Sequence, residues 1–369
     1  MIMTRKRLFS NKRILITGAC GTVGAELVHQ LLTDPAYEPG ELIGIDNNES
    51  KLFFLDQQWL DDSRARFFVA DVRDRDELIR RMRGIDIVFH AAALKHVILS
   101  ERSPEQAVQT NIHGVQNVIS AAIRNQVETV IFTSSDKAVN PTSVMGTSKL
   151  MGERLMTAAN SNKRGKGPVF ASTRFGNVLG SSGSVIPIFH NQIAQGGPVT
   201  LTHPEMSRFV MSIGQAVRLV IDSACLARGG EVFITKMPVI RIADLARVMI
   251  DELAPRYGLA PEDIKITQIG TKPGEKLYEE LMSGEETRRS VELTEYFAVL
   301  PAFRGIYHDI DYNYEDLVST TVDNPYVSAN ESPLEPDALR TFLLENGLLN
   351  APTESTAQRY WPGDKEEKI

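Results

Sequence analysis

The stretch RILITGACGTVGAELVHQLL, Arg13 to Leu32, decides how the rest of this chain is read. Ile14-Leu15-Ile16 is an apolar run of strand type, Thr17 to Gly24 is a loop with glycines at 18, 21 and 24, and the spacing that follows predicts a helix through Leu31. Glycine at these places keeps side chains away from a helix N-terminus, where free N–H groups and the dipole attract an anion such as a pyrophosphate. A glycine triplet alone also fits an ordinary turn; the strand before it and the helix after it give this one its meaning. The expectation is a dinucleotide cradle built by Gly18, Gly21, Thr22, Val23 and Gly24.

The following units repeat the pattern. A strand over Glu41 to Ile45 ends in Asp46, 22 residues beyond Gly24, where a carboxylate accepts both ribose hydroxyls of NAD and repels the 2′-phosphate of NADP. The strand Arg66 to Ala70 ends at Asp71-Val72, cofactor contacts if Asp71 meets an adenine amine and helix caps if it does not. Asp86 to His90 runs into Ala91-Ala92-Ala93, small enough for a flat cofactor to lie against the backbone, with Lys95 and His96 directly after. A helix over Ala107 to Asn125 carries Asn111.

The segment VIFTSSDKAVNPTSVMGTSKLMGERL, Val130 to Leu155, comes next. Its apolar start reads as a buried parallel strand that delivers Ser135, Asp136 and Lys137 to its C-terminal edge, where ligands bind in open α/β sheets. Pro141 ends that turn, and Met145 and Lys149 fall four apart on one face of the helix beyond. Val169 to Thr173 reads as a sixth strand, completing an α/β, Rossmann-type doubly wound parallel sheet. From Arg174 the composition turns to Gly, Ser and Asn, suited to a loop that surrounds a ligand. Helices over Gly214 to Ala227, Ile242 to Ala254 and Leu334 to Leu348, and strands over Glu231 to Thr235 and Ile264 to Ile269, follow with no long linker. The predicted organisation is a dinucleotide-binding domain over 10–173, completed around 214–237, and a smaller interleaved α/β lobe over 174–213 and 238–312. Residues 313–369 form a C-terminal extension whose polar end, from Asn350, reads as a mobile tail.

The chain has 369 residues, a net charge of −7 and no basic stripe, which argues against nucleic acid as the main partner. Its two cysteines, Cys20 and Cys225, suit a reducing compartment and predict no metal site. Met1 to Arg13 holds five basic residues but no apolar core of a signal peptide, and no stretch approaches the roughly 20 apolar residues of a membrane helix. A soluble, cytoplasmic protein is expected.

The set formed by TGxxGxxG at 17–24, Asp46, Ala91 to Ala93, Asn111 and Lys149 resembles the extended short-chain dehydrogenase/reductase superfamily. More narrowly, Ser135-Asp136-Lys137-Ala138, Asn140-Pro141-Thr142, Arg174-Phe175-Gly176-Asn177-Val178 through Ser184, Met206 to Phe209 and Pro273 to Leu277 resemble the bacterial polysaccharide-biosynthesis branch, the UDP-N-acetylglucosamine 4,6-dehydratases. The resemblance spans roughly residues 10 to 300. It implies a UDP-sugar substrate, a tightly held and recycled NAD, and a homo-oligomer. By the same resemblance Lys95, His96, Arg174, Asn177, Ser184, Val185, Arg208 and Glu275 would bind substrate, with Arg208 the best diphosphate ligand because a guanidinium pairs two oxygens at once.

One position departs from the superfamily's Tyr-x-x-x-Lys: Met145 stands where the tyrosine would, and a thioether has no proton to exchange. The larger membrane-linked members of the branch resemble this chain in having Met-x-x-x-Lys. The implied reaction is oxidation at C4 of the sugar, loss of water across C5 and C6, and return of hydride to C6. Asp136 would be the acid at the C6 hydroxyl and Lys137 the base at C5, its pKa lowered by burial and by Lys149. Lys149 would orient the nicotinamide, and Ser135 would hydrogen-bond the O4 region. Two other classes stay open from the sequence: an NAD-dependent epimerase acting at C4 or C5, and a non-catalytic nucleotide-sugar binding protein.

Overall fold

Three apolar triplets, Ile14-Leu15-Ile16, Ile87-Val88-Phe89 and Val130-Ile131-Phe132, are buried on both of their alternating faces, the signature of parallel strands covered by helices on each side. In the computed structural model, which describes residues 8–162, 167–181, 184–270, 275–303 and 310–350, they are central strands of one large sheet. The polar residues from 351 onward, residues 163–166, Ser182-Gly183 and Thr271 to Gly274 lie outside the described residues.

The first half alternates as predicted. In order come β1 (Arg13–Thr17), α1 (Thr22–Thr33), β2 (Glu41–Asp46), α2 (Glu49–Gln58), β3 (Ala65–Val69), α3 (Arg75–Arg81) and β4 (Ile87–His90). Then follow α4 (Val97–Arg102), α5 (Pro104–Ala107), α6 (Gly114–Asn125), β5 (Thr129–Ser135), α7 (Val144–Asn162) and β6 (Val169–Phe175). Strand alternation sorts the core. Ile14, Ile16, Phe89 and Ile131 pack with Leu27, Val28 and Leu31 of α1 on one face. Leu15, Val88, Val130 and Phe132 pack with Val115 and Val118 of α6 and Met156 of α7 on the other. The predicted single helix over Ala107 to Asn125 is α5 and α6 joined by one π-helical turn, Val108–His113, which carries Asn111.

The second half adds β7 (Asn177–Val178), α8 (Val185–Ala194), β8 (Val199–Leu201), β9 (Ser207–Met211), α9 (Ile213–Leu226), β10 (Val232–Thr235), β11 (Val239–Arg241) and α10 (Ile242–Leu253). It continues through β12 (Ile266–Gln268), β13 (Glu280–Met282), β14 (Ser290–Leu293), β15 (Tyr296–Val299), β16 (Leu317–Ser319), β17 (Tyr326–Val327) and α11 (Pro336–Glu345). The main sheet has ten strands in the order β16-β14-β15-β10-β6-β5-β4-β1-β2-β3. Seven strands from β3 to β10 run parallel, and the β10–β15, β15–β14 and β14–β16 pairings are antiparallel.

This corrects two expectations. The sixth strand alone does not complete the sheet: β10, within the 214–237 segment expected to finish the domain, pairs with its outer edge through Ser172, Thr173 and Arg174. Residues 290–299 and 317–319, expected in the smaller lobe and the extension, belong to the main sheet. The lobe itself is built from the three-stranded β11-β9-β7 sheet, the β12-β8 and β13-β17 pairs, and the helices α8, α10 and α11. Its core joins Phe189 and Ile193, Leu245 and Met249, and Leu339 and Leu343.

Leu343 of α11 is fully buried among these side chains. Leu343→Ala leaves a cavity there and lowers unfolding stability by about 2–5 kcal/mol, read as a lower urea midpoint.

Candidate active site

The strand order reverses between β1 and β4, the place where open α/β sheets bind ligands beyond their C-terminal strand ends. The glycine loop follows β1 here. Gly18 has φ +72°, and a Cβ on it would stand 2.7 Å from the Ala92 backbone, so only glycine lets the loop lie against the alanine run. A Cβ on Gly24 would overlap the Gly18 carbonyl oxygen. α1 starts at Thr22 after Gly21 with no side chain capping it, which leaves its first N–H groups facing the loop. Val23 packs against the core under α1.

A cavity of about 170 Å³ opens over this loop and is lined by Gly18, Gly21, Asp46, Asp71, Val72, Ala91 and Ala92. Asn47 and Thr110 also line it, and the sequence reading did not single them out. Asp46 accepts from Cys20 N–H at 3.0 Å and Asn48 N–H at 2.9 Å, which fixes its carboxylate at the end of β2. Asp71 is engaged by Arg73, whose guanidinium lies 2.6 Å away and holds the carboxyl below its ordinary pKa. Below the loop Thr17 Oγ1 is hydrogen-bonded to His90 Nδ1 at 2.7 Å; burial, then the charge of Lys149, pushes that imidazole down to about 3, so it is neutral.

Past β5 the chain tightens into a 3₁₀ turn, Asp136–Ala138. Ser135 Oγ accepts from Lys137 N–H at 3.0 Å and caps the turn. Asp136 is 1% exposed; its Oδ1 accepts from Lys137 N–H at 2.9 Å and from Lys137 Nζ at 3.0 Å, while Oδ2 is buried without a hydrogen-bond partner. One turn apart on α7, Met145 and Lys149 are both buried. Lys149 Nζ donates to Thr133 C=O at 2.8 Å and sits 4.8 Å over the Phe132 ring. Burial lowers its pKa to about 8 against an opposing pull from Glu153. Asn111 ties these parts together: its side chain accepts from Leu94 N–H at 2.8 Å and donates to Leu94 C=O at 3.0 Å and to Ser148 Oγ of α7 at 2.9 Å.

Lys137 faces a cleft made of two cavities of about 520 and 320 Å³ that share His96, Asn177, Arg208 and Glu275. The smaller also meets Lys95, Ser184 and Val185. Ser184 stands at the N-terminus of α8 with its hydroxyl buried and unpartnered. Arg208 is braced by the carbonyls of Ser207 at 2.8 Å, Leu277 at 3.1 Å and Lys276 at 2.7 Å, and lies 3.9 Å from Glu275. Glu279, which the sequence reading passed over, lines the cleft with one carboxylate oxygen 3.6 Å from Lys137 Nζ and 3.6 Å from Arg208 Nε.

Two expectations are corrected. Lys137 is not a lysine of lowered pKa: burial pulls that way, but Asp136 and Glu279 together outweigh it and leave the pKa above its ordinary value. Arg174 is not in the cleft. It is 1% exposed, its guanidinium pairs with Glu153 of α7 at 2.8 and 2.9 Å and with Glu286 at 2.8 and 2.9 Å, and it donates to Leu281 C=O at 2.9 Å. Burial raises the Glu286 pKa, yet the guanidinium outweighs that and holds it near 2.

Fold and site together define an extended short-chain dehydrogenase/reductase. Residues 14–301 match the family described as polysaccharide biosynthesis protein, and the chain belongs to it, within the nucleotide-sugar dehydratases and epimerases. It is 50% identical to the "uncharacterized membrane protein MJ1061" of Methanocaldococcus jannaschii, over 82% of this chain and 89% of that protein. An inverting UDP-N-acetylglucosamine 4,6-dehydratase of Campylobacter jejuni is 36% identical over 84% and 89%, and a UDP-glucose 4-epimerase of Rickettsia canadensis is 36% identical over 91% and 96%. Among solved structures, Pen from Bacillus thuringiensis matches with TM-score 0.85 and 40% identity over 93% of this chain and 99% of that one. A dTDP-glucose 4,6-dehydratase from Streptomyces venezuelae that carries NAD shares the fold, with TM-score 0.64 and 24% identity over 72% and 86%. Among the described residues no helix is long and apolar enough to cross a membrane.

Arg174→Ala strands two buried carboxylates, and about 3–5 kcal/mol of stability is lost in chemical denaturation; a substrate ligand would instead lose affinity at unchanged stability. Lys149 gives a second test. Its pKa near 8 lies below the ordinary 10.5, so the fold disfavours the ammonium and that penalty is full below pH 8 and relieved toward pH 10.5. The stability difference between the parent and Lys149→Met therefore moves in the parent's favour across that window, measured by urea unfolding at stepped pH.

Proposed function

We propose that this protein is an NAD-dependent UDP-N-acetylglucosamine 4,6-dehydratase that makes a UDP-2-acetamido-2,6-dideoxy-4-hexulose for surface glycan synthesis. The observation that carries the reading is the Asp136–Lys137 pair at the end of β5, an acid and an amine joined at 3.0 Å, the amine facing a cleft of hexose-nucleotide size. Removal of water across C5 and C6 needs a base at one carbon and an acid at the other oxygen, and a positioned pair of this kind contributes about 10²–10⁴ in rate.

Gly18, Gly21, Asp46, Ala91 and Ala92 would hold the cofactor, and the absence of Cβ atoms at 18 and 24 beside the uncapped end of α1 fits its pyrophosphate. When bound, NAD supplies the acceptor for the C4 hydride and its later return to C6. The chain's own residues do the rest. Asp136 Oδ2, buried and unpartnered, is the oxygen free to meet the C6 hydroxyl. Lys137 stands ready for the C5 proton once its ammonium has given up its own. Lys149 fixes the nicotinamide ribose, and Ser135, whose O–H is left to donate, takes the O4 contact that Met145 cannot make. Arg208, with Asn177 and Glu275 beside it, receives the diphosphate and its ribose.

An epimerase acting at C4 is the second reading, favoured by the Rickettsia relative of equal identity. Purified protein incubated with UDP-N-acetylglucosamine in deuterium oxide separates the two. A dehydratase releases a product 18 mass units lighter before deuterium is counted, with solvent label at C5; an epimerase returns an isomer of unchanged mass. Under the dehydratase reading Asp136→Asn keeps the fold and loses roughly 100-fold or more in turnover.

A further inference from the structure

Four charged side chains close one end of the cleft: Asp136, Lys137, Glu279 and Arg208. Asp136 and Arg208 have the roles proposed above, as does Lys137, and the present inference rests on them. Glu279 has none. It is 3% exposed, its Oε1 stands 3.6 Å from both cations, and its Oε2 is buried with no hydrogen-bond partner. A buried carboxylate with one unmatched oxygen is costly to keep unless it acts on its neighbours.

We propose that Glu279 is a positioning residue that couples the proposed base to the proposed diphosphate clamp: one carboxylate holds Lys137 Nζ and Arg208 together, so an anion drawn to Arg208 competes with Glu279. Lys137 then feels the arrival of substrate. Without an anion, Glu279 is shared by two cations and helps Asp136 to keep Lys137 protonated. When a diphosphate takes the guanidinium, the carboxylate is left beside added negative charge and its own proton affinity rises. The remaining charges that face the group are Lys276, which pairs with Glu280 at 3.3 Å, and Glu275 on the far side of Arg208 at 3.9 Å. Lys276 also donates to the Val139 carbonyl at 2.9 Å, and the ion-pair partners of Lys137 are Asp136 and Glu279.

The test compares the parent with Glu279→Gln and Glu279→Asp. Calorimetric titration with UDP reads the clamp, and the pH profile of turnover reads Lys137. Removing the charge and keeping the shape, as Gln does, frees Arg208 and tightens UDP by roughly three- to tenfold. In the same variant the ascending limb of the turnover profile moves to lower pH, because one of the two carboxylates that hold the Lys137 proton is gone. Asp keeps the charge and stays close to the parent in both. A purely structural role would weaken UDP and lower the rate by one factor at every pH. UDP affinity unchanged or weaker in Glu279→Gln, or a limb that does not move, overturns the coupling. A parent that binds UDP but never releases a product 18 mass units lighter overturns the dehydratase reading instead, and the UDP titration still decides the role of Glu279.

Discussion

One buried guanidinium holds α7 in place. Arg174 at the end of β6 reaches Glu153, 21 residues back on α7, and Glu286, 112 residues ahead beyond β13. Glu153 lies one turn after Lys149 on the same helix, so the pairing sets where Lys149 meets the end of β5. The same guanidinium donates to the Leu281 carbonyl on β13, the strand that begins at Glu280, directly after Glu279. Two sides of the cleft, from distant parts of the chain, are thus referred to one charge. Two carboxylates accept four of its hydrogen bonds and the Leu281 carbonyl a fifth, which makes so deep a burial tolerable.

The two lysines of the site show how surroundings divide one chemistry. Lys149 is packed against an aromatic ring and a single carbonyl, and its ammonium is disfavoured. Lys137 is set between two carboxylates, and its ammonium is favoured although the group is largely enclosed. A lysine meant to act as base from such a setting depends on something that relieves it of its proton. The unmatched oxygens of Asp136 and Glu279 are the acceptors at hand.

Much of this was legible in the sequence where the cause is local. The glycine loop, Asp46, the alanine run and the Asp136-Lys137 turn sit at strand ends, and each strand end is marked by its own apolar run. The fold class followed from the same runs. What sequence could not give depends on partners far away. Arg174 sits in a Gly/Asn-rich loop signature that reads as ligand-binding, and only the fold shows that Glu153 and Glu286 consume it. Lys137 looked like a depressed lysine because burial is readable and Glu279, 142 residues on, is not. The one available signal for Glu279 was a run of charged residues, Glu275, Lys276, Glu279 and Glu280, close to Pro273-Gly274, which looks like an exposed face. The strands β14 to β16 were missed because strands of three or four residues carry little periodicity.

The last described segments close both cores: β16 finishes the edge of the ten-stranded sheet, and α11 seals the smaller lobe through Leu339 and Leu343. A ribosome that has delivered residue 300 has therefore released neither half in finished form. The Rossmann half emerges first but waits with an incomplete sheet margin, and the lobe waits for its final helix. Such a nascent chain presents unfinished apolar surface until α11 has emerged, the condition under which folding intermediates aggregate.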